Sequence, residues 1–301
     1  MDNIFNKINS YISKKNIFTI IVIVLVACVS FTSLYVSFGT KKTTTDVLVP
    51  DEDVTINDDG TIEVLGSNGT TVIPNFDIPI STYSTDEFYL TDGVMNYTGG
   101  SSSIVIDVST YQGEIDWATV KETGIDCAII RCGYRGAVRG SLVEDSMYQT
   151  NIQGAIDNGI KVGVYFFSQA TTEDEAEEEA TFVLSLISQY NIDLPIVFDW
   201  EHVNYEDSRI ASVTGDETSL FAVTFCKKIE KAGYDAMIYM NKDLAYNWYD
   251  LELVSDYPIW IAEYEETSYF YYDFEMWQYT DSGSVNGIDG KVDINISMKV
   301  Y

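Results

Sequence analysis

The last two-thirds of this 301-residue chain predict an α/β fold, either a barrel or an open sheet flanked by helices. From residue 103 onwards, short apolar runs that match strands alternate with segments of helical periodicity. Aromatic residues make up 14% of the chain, with 22 Tyr and 5 Trp, so a large core can be buried. The last strands follow one another without clear helices between them, which predicts an irregular C-terminal part.

Eight strands and three helices are predicted from this alternation. The strands are expected at residues 103–109, 127–133, 161–168, 195–201, 235–240, 258–264, 274–280 and 291–296, and the helices at 145–159, 173–190 and 216–232. The helix near 173 has a capping box, because Thr172 is followed three residues later by Glu175. The acidic run Glu173–Glu179 is therefore interpreted as a solvated helix start and not as a metal site.

An almost uncharged stretch at residues 17–38 is long enough to span a bilayer as a helix. We expect a single-pass signal anchor in the cell membrane, with residues 1–16 in the cytoplasm and the rest of the chain outside. Two alternatives remain: a signal peptide cleaved near Ala27, giving a secreted protein, or a lipoprotein modified at Cys28. All three export the folded part of the chain.

Residues 39–102 are rich in Thr, Ser, Asp, Gly and Asn and have no sustained helical periodicity. We interpret them as an extracytoplasmic linker or stalk that is partly disordered. One small hairpin is expected between Ile62 and Val72. The folded domain is then expected to occupy residues 103–301.

Charge and cysteine content exclude several classes of function. The net charge of -30 would repel phosphate backbones, so we expect no nucleic-acid partner. Beyond Cys28, the three cysteines are an odd number without metal-like spacing and are interpreted as buried free thiols. The one histidine, His202, argues against a His-based zinc site or a Ser-His-Asp triad. We predict no cofactor.

The segment 195–201 is the most informative, because an apolar strand ends there in Asp199, Trp200 and Glu201. Alternate residues of a strand face the same side, so both carboxylates point into one space at the end where α/β barrels carry their active sites. Two neighbouring carboxylates raise one pKa and supply a neutral acid, which glycosidic cleavage requires. The alternative is two ordinary acids at an exposed strand end.

Asp107 and Asp293 lie near the ends of two further apolar strands. A buried acid is costly unless it is paired or functional. We therefore expect these acids to join Asp199 and Glu201 in one acidic cleft. A divalent-metal site for another class of hydrolase is a weaker alternative.

Residues 103–298 resemble glycoside hydrolase family 25, the muramidase-type lysozymes. The matching motifs, in chain order, are Ile106–Gly113 with Ile115–Trp117, Ile130–Tyr134, Gly163–Ser168, Val197–Glu201, Ile259–Tyr264, Trp277–Thr280 and Gly287–Asn295. The resemblance implies a distorted (β/α) barrel and hydrolysis of the β-1,4 bond between N-acetylmuramic acid and N-acetylglucosamine. The implied partners are peptidoglycan glycan strands, with the lipid bilayer contacted through residues 17–38. Which proteins bind this chain does not follow from the sequence.

The resemblance also assigns roles to individual residues. Glu201 matches the general acid, Asp199 its partner, and Asp107 and Asp293 the supporting acids. The positions that match the sugar groove are Tyr165, Trp260, Tyr264 and Trp277, together with Arg131, which either binds substrate or buttresses the acids. We expect Asp199 to orient the N-acetyl group of the substrate. The alternative function is a catalytically inactive peptidoglycan-binding module.

Overall fold

The computed structural model describes residues 55–204 and 207–301. The predicted membrane segment at 17–38 and the residues before it lie outside the described residues. Across the two described ranges, no helix combines the length and the apolar character needed to cross a bilayer.

Residues 55–97 form five short strands. They are β1 (Thr55–Ile56), β2 (Thr61–Gly66), β3 (Gly69–Pro74), β4 (Phe88–Thr91) and β5 (Val94–Tyr97). Strands β2 and β3 pair antiparallel up to Gly66 and Gly69, which confirms the predicted hairpin. Strands β4 and β5 are joined by Asp92 and Gly93, both at positive φ, as a tight hairpin turn requires.

The eight predicted strands are all present after residue 102, and a ninth short strand, β8, joins them. Their bounds are β6 (Ser103–Val108), β7 (Cys127–Arg135), β8 (Leu142–Glu144), β9 (Lys161–Ser168), β10 (Ile196–Trp200), β11 (Ala236–Asn241), β12 (Ile259–Ala262), β13 (Met276–Gly283) and β14 (Val292–Ser297).

These strands close into a barrel, which decides between the two architectures that the sequence allows. Strands β6, β7, β9, β10, β11, β12 and β13 are parallel neighbours in that order. Strand β14 is antiparallel to both β13 and β6 and so closes the ring. The reversal at β14 follows from its short, helix-free connection to β13, because a parallel neighbour needs a long crossover. This is the irregular C-terminal part that the sequence predicts.

Six α-helices are described, and the three predicted ones are confirmed, two with slightly shorter bounds and the third shifted by one residue. They are α1 (Trp117–Glu122), α2 (Tyr148–Asp157), α3 (Glu173–Ile187), α4 (Gly215–Lys231), α5 (Lys242–Asn247) and α6 (Leu251–Val254). Helix α3 begins as predicted, because the Thr172 hydroxyl accepts the backbone N–H of Glu175. The Glu175 side chain, however, accepts from Thr171 and Arg209 instead of closing the box on Thr172.

The acidic start of α3 differs from the solvated surface that the sequence predicts. Glu179 has no exposed surface. Its two carboxylate oxygens accept from Arg135 Nε at 2.7 Å and from Ser168 Oγ at 2.6 Å. The interpretation as a solvated helix start is therefore wrong for Glu179, because an arginine from strand β7 reaches under the helix.

The core has two layers, as alternation along the strands requires. The outward-facing residues of the strands pack against the helices, whereas Val105, Ile129, Val197 and Met237 belong to a separate buried cluster on the inward face. Cys127, Cys132 and Cys226 are buried free thiols, as predicted.

The β4–β5 hairpin covers the outward face of barrel strand β13, which lacks a helix. The Phe88 ring meets the Trp277 ring edge-on at 5.3 Å, and buried Met95 donates its backbone N–H to the Tyr279 hydroxyl. The interpretation of residues 39–102 as a partly disordered stalk is thus corrected for residues 61–97. Outward-facing aromatic residues on β13 would otherwise contact water.

Candidate active site

Four carboxyl groups converge at one end of the barrel. Asp107 and Asp199 lie near the carboxyl ends of β6 and β10, and Glu201 follows directly after β10. Asp293 reaches the same edge because β14 runs antiparallel, and it pairs in register with Asp107. All four line one cleft of about 910 Å³. The structure thus brings together the four acids that the sequence assigns to a single site.

Asp107 is held by an amide whose orientation is fixed. Its Oδ2 accepts from Asn295 Nδ2 at 2.9 Å. Asn295 Oδ1 in turn accepts from the indole Nε1 of Trp260 at 2.8 Å. Because an indole N–H can only donate, it determines which end of the Asn295 amide faces Asp107. Asn295 therefore presents a donor to the carboxylate.

Gln278 supplies a second donor by the same principle. Its Nε2 donates to Asp107 Oδ2 at 2.9 Å. Its Oε1 accepts from the hydroxyls of Tyr239 at 3.1 Å and Tyr264 at 2.9 Å. Burial raises the pKa of Asp107, and the two donors on Oδ2 oppose this by favouring the ionised form.

The cleft holds protons on its carboxyl groups. Burial raises the pKa of Asp199 well above its ordinary value, with further contributions from the charges of Glu201 and Asp107. Burial also raises the pKa of Glu201, and the charge of Asp293 adds to this. Burial, followed by the charge of Asp107, raises the pKa of Asp293 to about 8. Four close carboxyl groups cannot all ionise together, so the site contains neutral acids at neutral pH.

Asp199 has one oxygen without a partner. Its Oδ1 is buried and accepts no hydrogen bond from any described residue. A buried acceptor without a donor is costly, so such groups call for a functional explanation. This oxygen has almost no accessible surface, whereas Asp199 as a residue lines the same cleft as Glu201.

Arg131 pairs with an acid outside the group of four. Its Nε and Nη2 both contact Asp145 Oδ2, at 2.8 Å and 2.7 Å. Its guanidinium lies 5.0 Å from the ring centroid of Tyr111 and 5.6 Å from that of Tyr134. Arg131 still lines the cleft and lowers the pKa of Asp199, against the larger effect of burial. Sequence reasoning missed Asp145, because an acid just before a helix is ordinarily interpreted as a helix cap.

The four aromatic residues predicted for the sugar groove have different locations. Tyr165 lines the cleft beside the acids. Tyr264 is 52% exposed and lines a different crevice, of about 760 Å³. Trp260 and Trp277 are buried, so their side chains do not offer a stacking surface. Their assignment to the groove is corrected: Trp260 orients Asn295, and Trp277 Nε1 donates to the carbonyl of Glu263 at 2.7 Å.

Several cleft residues have no counterpart in the sequence-based prediction. Tyr111 is 82% exposed and lines the cleft. The turn at residues 136–141, between β7 and β8, forms one wall. No periodic pattern marks this turn, because β8 has only three residues. Within residues 55–204 and 207–301, no three His, Cys, Asp or Glu side chains are placed to hold a metal ion.

Relatives of known sequence share this region of the chain. The autolytic lysozyme of Clostridium acetobutylicum is 31% identical over 199 residues, which are 63% of this chain and 54% of that protein. Lysozyme M1 of Streptomyces globisporus is 25% identical over 203 residues, 63% of this chain and 66% of that protein. The chain thus spans little more than half of the Clostridium relative.

Solved structures share the barrel. The modular autolysin LytC from Streptococcus pneumoniae, in complex with a synthetic peptidoglycan ligand, aligns with a TM-score of 0.57 and 26% identity. That alignment covers 81% of this chain and 57% of LytC. The bacterial lysozyme from Streptomyces coelicolor aligns with a TM-score of 0.52 and 25% identity, over 67% of this chain and 94% of that one.

The family model for glycosyl hydrolases family 25 matches residues 106–288, which include Asp107, Asp199 and Glu201. This match covers more than half of the chain, and the relatives and the barrel agree with it. The chain therefore belongs to glycosyl hydrolase family 25.

Proposed function

We propose that this chain is a peptidoglycan hydrolase, a lysozyme that cuts the β-1,4 bond between N-acetylmuramic acid and N-acetylglucosamine. The observation that carries the proposal is the cleft in which Asp107, Asp199, Glu201 and Asp293 converge, in a chain of family 25. Relatives named as lysozymes, from Clostridium and Streptomyces, support this substrate class. So does LytC, whose structure contains a peptidoglycan ligand.

Glu201 is the general acid of the proposed reaction. Burial raises its pKa, so the side chain carries a proton more readily than an exposed glutamate does. In the first step this proton passes to the glycosidic oxygen as the bond from that oxygen to the anomeric carbon breaks. The leaving sugar departs as a neutral alcohol, and Glu201 is left as a carboxylate.

Asp199 assists by orienting the acetamido group of the substrate. The Asp199 carboxyl group, which lines the cleft, accepts the acetamido N–H, and the acetamido oxygen then attacks the anomeric carbon to form a five-membered ring. Asp199 and Glu201 are two residues apart on the same face, so Asp199 is poorly placed to attack from the opposite side of the sugar. In the second step the Glu201 carboxylate takes a proton from water, whose oxygen opens the ring at the anomeric carbon.

Digestion of purified peptidoglycan by the full chain tests this function. Wild type is compared with Glu201→Gln, and the reducing ends of the products are identified by mass spectrometry. We expect wild type to release products with reducing-end N-acetylmuramic acid, and Glu201→Gln to be about 10²- to 10⁴-fold slower, because the general acid is lost. Glu114→Gln removes an exposed carboxylate and serves as the matched control.

Two other results would contradict parts of this proposal, one the lysozyme function and the other the mechanism. No release by wild type, with binding to the wall intact, would establish the inactive binding module. A covalent adduct between the sugar and Asp199 would leave the lysozyme function standing but would exclude the acetamido-assisted route.

A further inference from the structure

All four arginines of this strongly acidic chain lie around one wall of the cleft. The chain has a net charge of -30. Arg131, Arg135 and Arg139 line the cleft. A Cβ added at Gly140, in the turn that forms the wall, would lie 2.9 Å from Cζ of Arg209. The arginines of this acidic chain are thus concentrated at one wall of the cleft.

Three of these arginines are occupied by carboxylates. Arg131 pairs with Asp145, as described above. Arg135 is buried, and its Nε and Nη2 donate to Glu179 at 2.7 Å and Glu178 at 2.8 Å. Arg209 donates to Glu175 through both terminal nitrogens, from Nη2 to Oε1 at 2.6 Å and from Nη1 to Oε2 at 2.8 Å. Their charges are neutralised within the protein.

Two of the three fix the turn at residues 136–141 from below. Arg135 Nη1 donates to the carbonyl of Gly140 at 2.7 Å, and the backbone N–H of Arg209 donates to the carbonyl of Ala137 at 2.9 Å. Gly140 has a φ of +67°, which favours glycine, and the Arg209 guanidinium leaves no room for a Cβ there. The turn is thereby held in one conformation.

This turn presents Arg139 to the cleft. Arg139 is exposed and lines the same cleft as Glu201. Among the residues that the structure describes, no carboxylate lies within ion-pair distance of it. The cleft carries four carboxyl groups, and those that are ionised repel any anionic group of a ligand. A cation on the wall offsets this repulsion at one location.

We propose that Arg139 is a specificity-determining residue that binds a carboxylate carried by the muramic acid of the substrate. The inference rests on the proposed lysozyme function. A guanidinium binds a carboxylate through two parallel hydrogen bonds, which makes Arg the suited residue for this contact. The carboxylate belongs either to the lactyl group of a muramic acid without peptide or to the stem peptide of a substituted one.

The test compares kcat/KM of the full chain on three substrates. They are peptidoglycan with its stem peptides, amidase-treated glycan with free lactyl carboxylates, and the treated glycan after conversion of those carboxylates to neutral methylamides. The quantity compared is kcat/KM on a carboxylate-bearing substrate divided by kcat/KM on the neutral glycan. For Arg139→Gln we expect this ratio to fall roughly 10-fold or more, because a charge-assisted hydrogen bond is lost. Arg139→Lys should retain part of the ratio, and Lys227→Gln, which removes an exposed charge on α4, should retain all of it.

The substrates distinguish the two sources of the carboxylate. A fall confined to peptide-bearing material assigns the contact to the stem peptide, and a fall confined to amidase-treated glycan assigns it to the lactyl group. If the ratio is unchanged for both carboxylate-bearing substrates, the inference is overturned. An equal loss of kcat/KM on all three substrates also overturns it, because such a loss indicates a structural role for Arg139. Absence of cleavage by wild type on every substrate would instead contradict the proposed function itself.

Discussion

Asp107 and Asp293 face each other across the β6–β14 pair, yet their surroundings differ. Asp107 accepts from the amides of Asn295 and Gln278, which favour its ionised form. Asp293 is half-buried, and its charge would lie beside that of Asp107. We infer that the pair shares one proton and that Asp293 carries it. Trp260, predicted to line the sugar groove, supports this arrangement instead by orienting Asn295.

Replacing Asp293 by Asn is expected to flatten the dependence of stability on pH. The folded pKa of Asp293 is about 8, above its ordinary value of 3.8. Between these two values the folded state binds a proton that the unfolded state has released. The free energy of unfolding therefore falls as pH rises through this window and is highest below it. Asn is neutral throughout, so Asp293→Asn should lose less stability than wild type between about pH 4 and pH 8.

The measurement is Tm at a series of pH values for wild type, Asp293→Asn and Asp289→Asn. Asp289 is exposed on the loop before β14, so its variant removes the same type of charge outside the cleft. Its curve should run parallel to wild type. A parallel curve for Asp293→Asn as well would show that Asp293 does not hold the proton.

Sequence periodicity predicted the barrel strands well and their connections less well. Runs such as 161–168 and 195–201 contain apolar residues on both faces, which is the pattern of a parallel strand buried on both sides. The four acids stood out because carboxylates are rare in such runs. The sequence did not single out Asp145 or the turn at 136–141, because their role depends on contacts with residues distant in sequence, such as Arg131 and Arg209.

In helix α3, contacts of this kind place neighbouring acidic residues in different surroundings. Glu178 and Glu179 both pair with Arg135, but their side chains are 59% and 0% exposed. Burial raises the pKa of Glu179 to about 7, although Ser168 and Arg135 act in the opposite direction. At pH 8 the buried pair is ionised and links α3 to the strand that leads into the cleft wall.

We expect Glu179→Ala to destabilise the chain much more than Glu178→Ala. The first variant leaves the buried Arg135 Nε and the Ser168 hydroxyl without their partner and costs about 3 kcal/mol or more at pH 8. The second removes an exposed ion pair and costs ~1 kcal/mol or less. Urea unfolding of both variants at pH 8 provides the comparison. Equal losses would mean that the network tolerates substitution at either position.

The folded unit of this molecule includes residues that precede β6, the first strand of the barrel. Between β12 and β14 the described chain contains no helix, so the outward faces of these strands depend on other cover. Phe88 and Met95 provide it at Trp277 and Tyr279. The alignment with LytC, which covers 81% of this chain, also includes more residues than 103–301 can supply. The compositional signal of a linker was misleading, because short hairpins with polar turns resemble one.

Removing the hairpins is therefore expected to destabilise the barrel. Burial of one large apolar side chain stabilises a fold by about 1.5–3 kcal/mol, so Phe88 and Met95 together contribute on the order of 3–6 kcal/mol. At this chain length the Tm of residues 103–301 should lie at least roughly 6 °C below that of residues 55–301.

Because the shorter chain could fail to fold at all, Phe88→Ala in residues 55–301 gives an independent measurement and should lower Tm in the same direction. Tyr89→Ala, at a half-exposed neighbour on the same strand, is the matched control and should change Tm little. Equal Tm values for the two chain lengths, with no effect of Phe88→Ala, would restore the interpretation of residues 39–102 as a spacer.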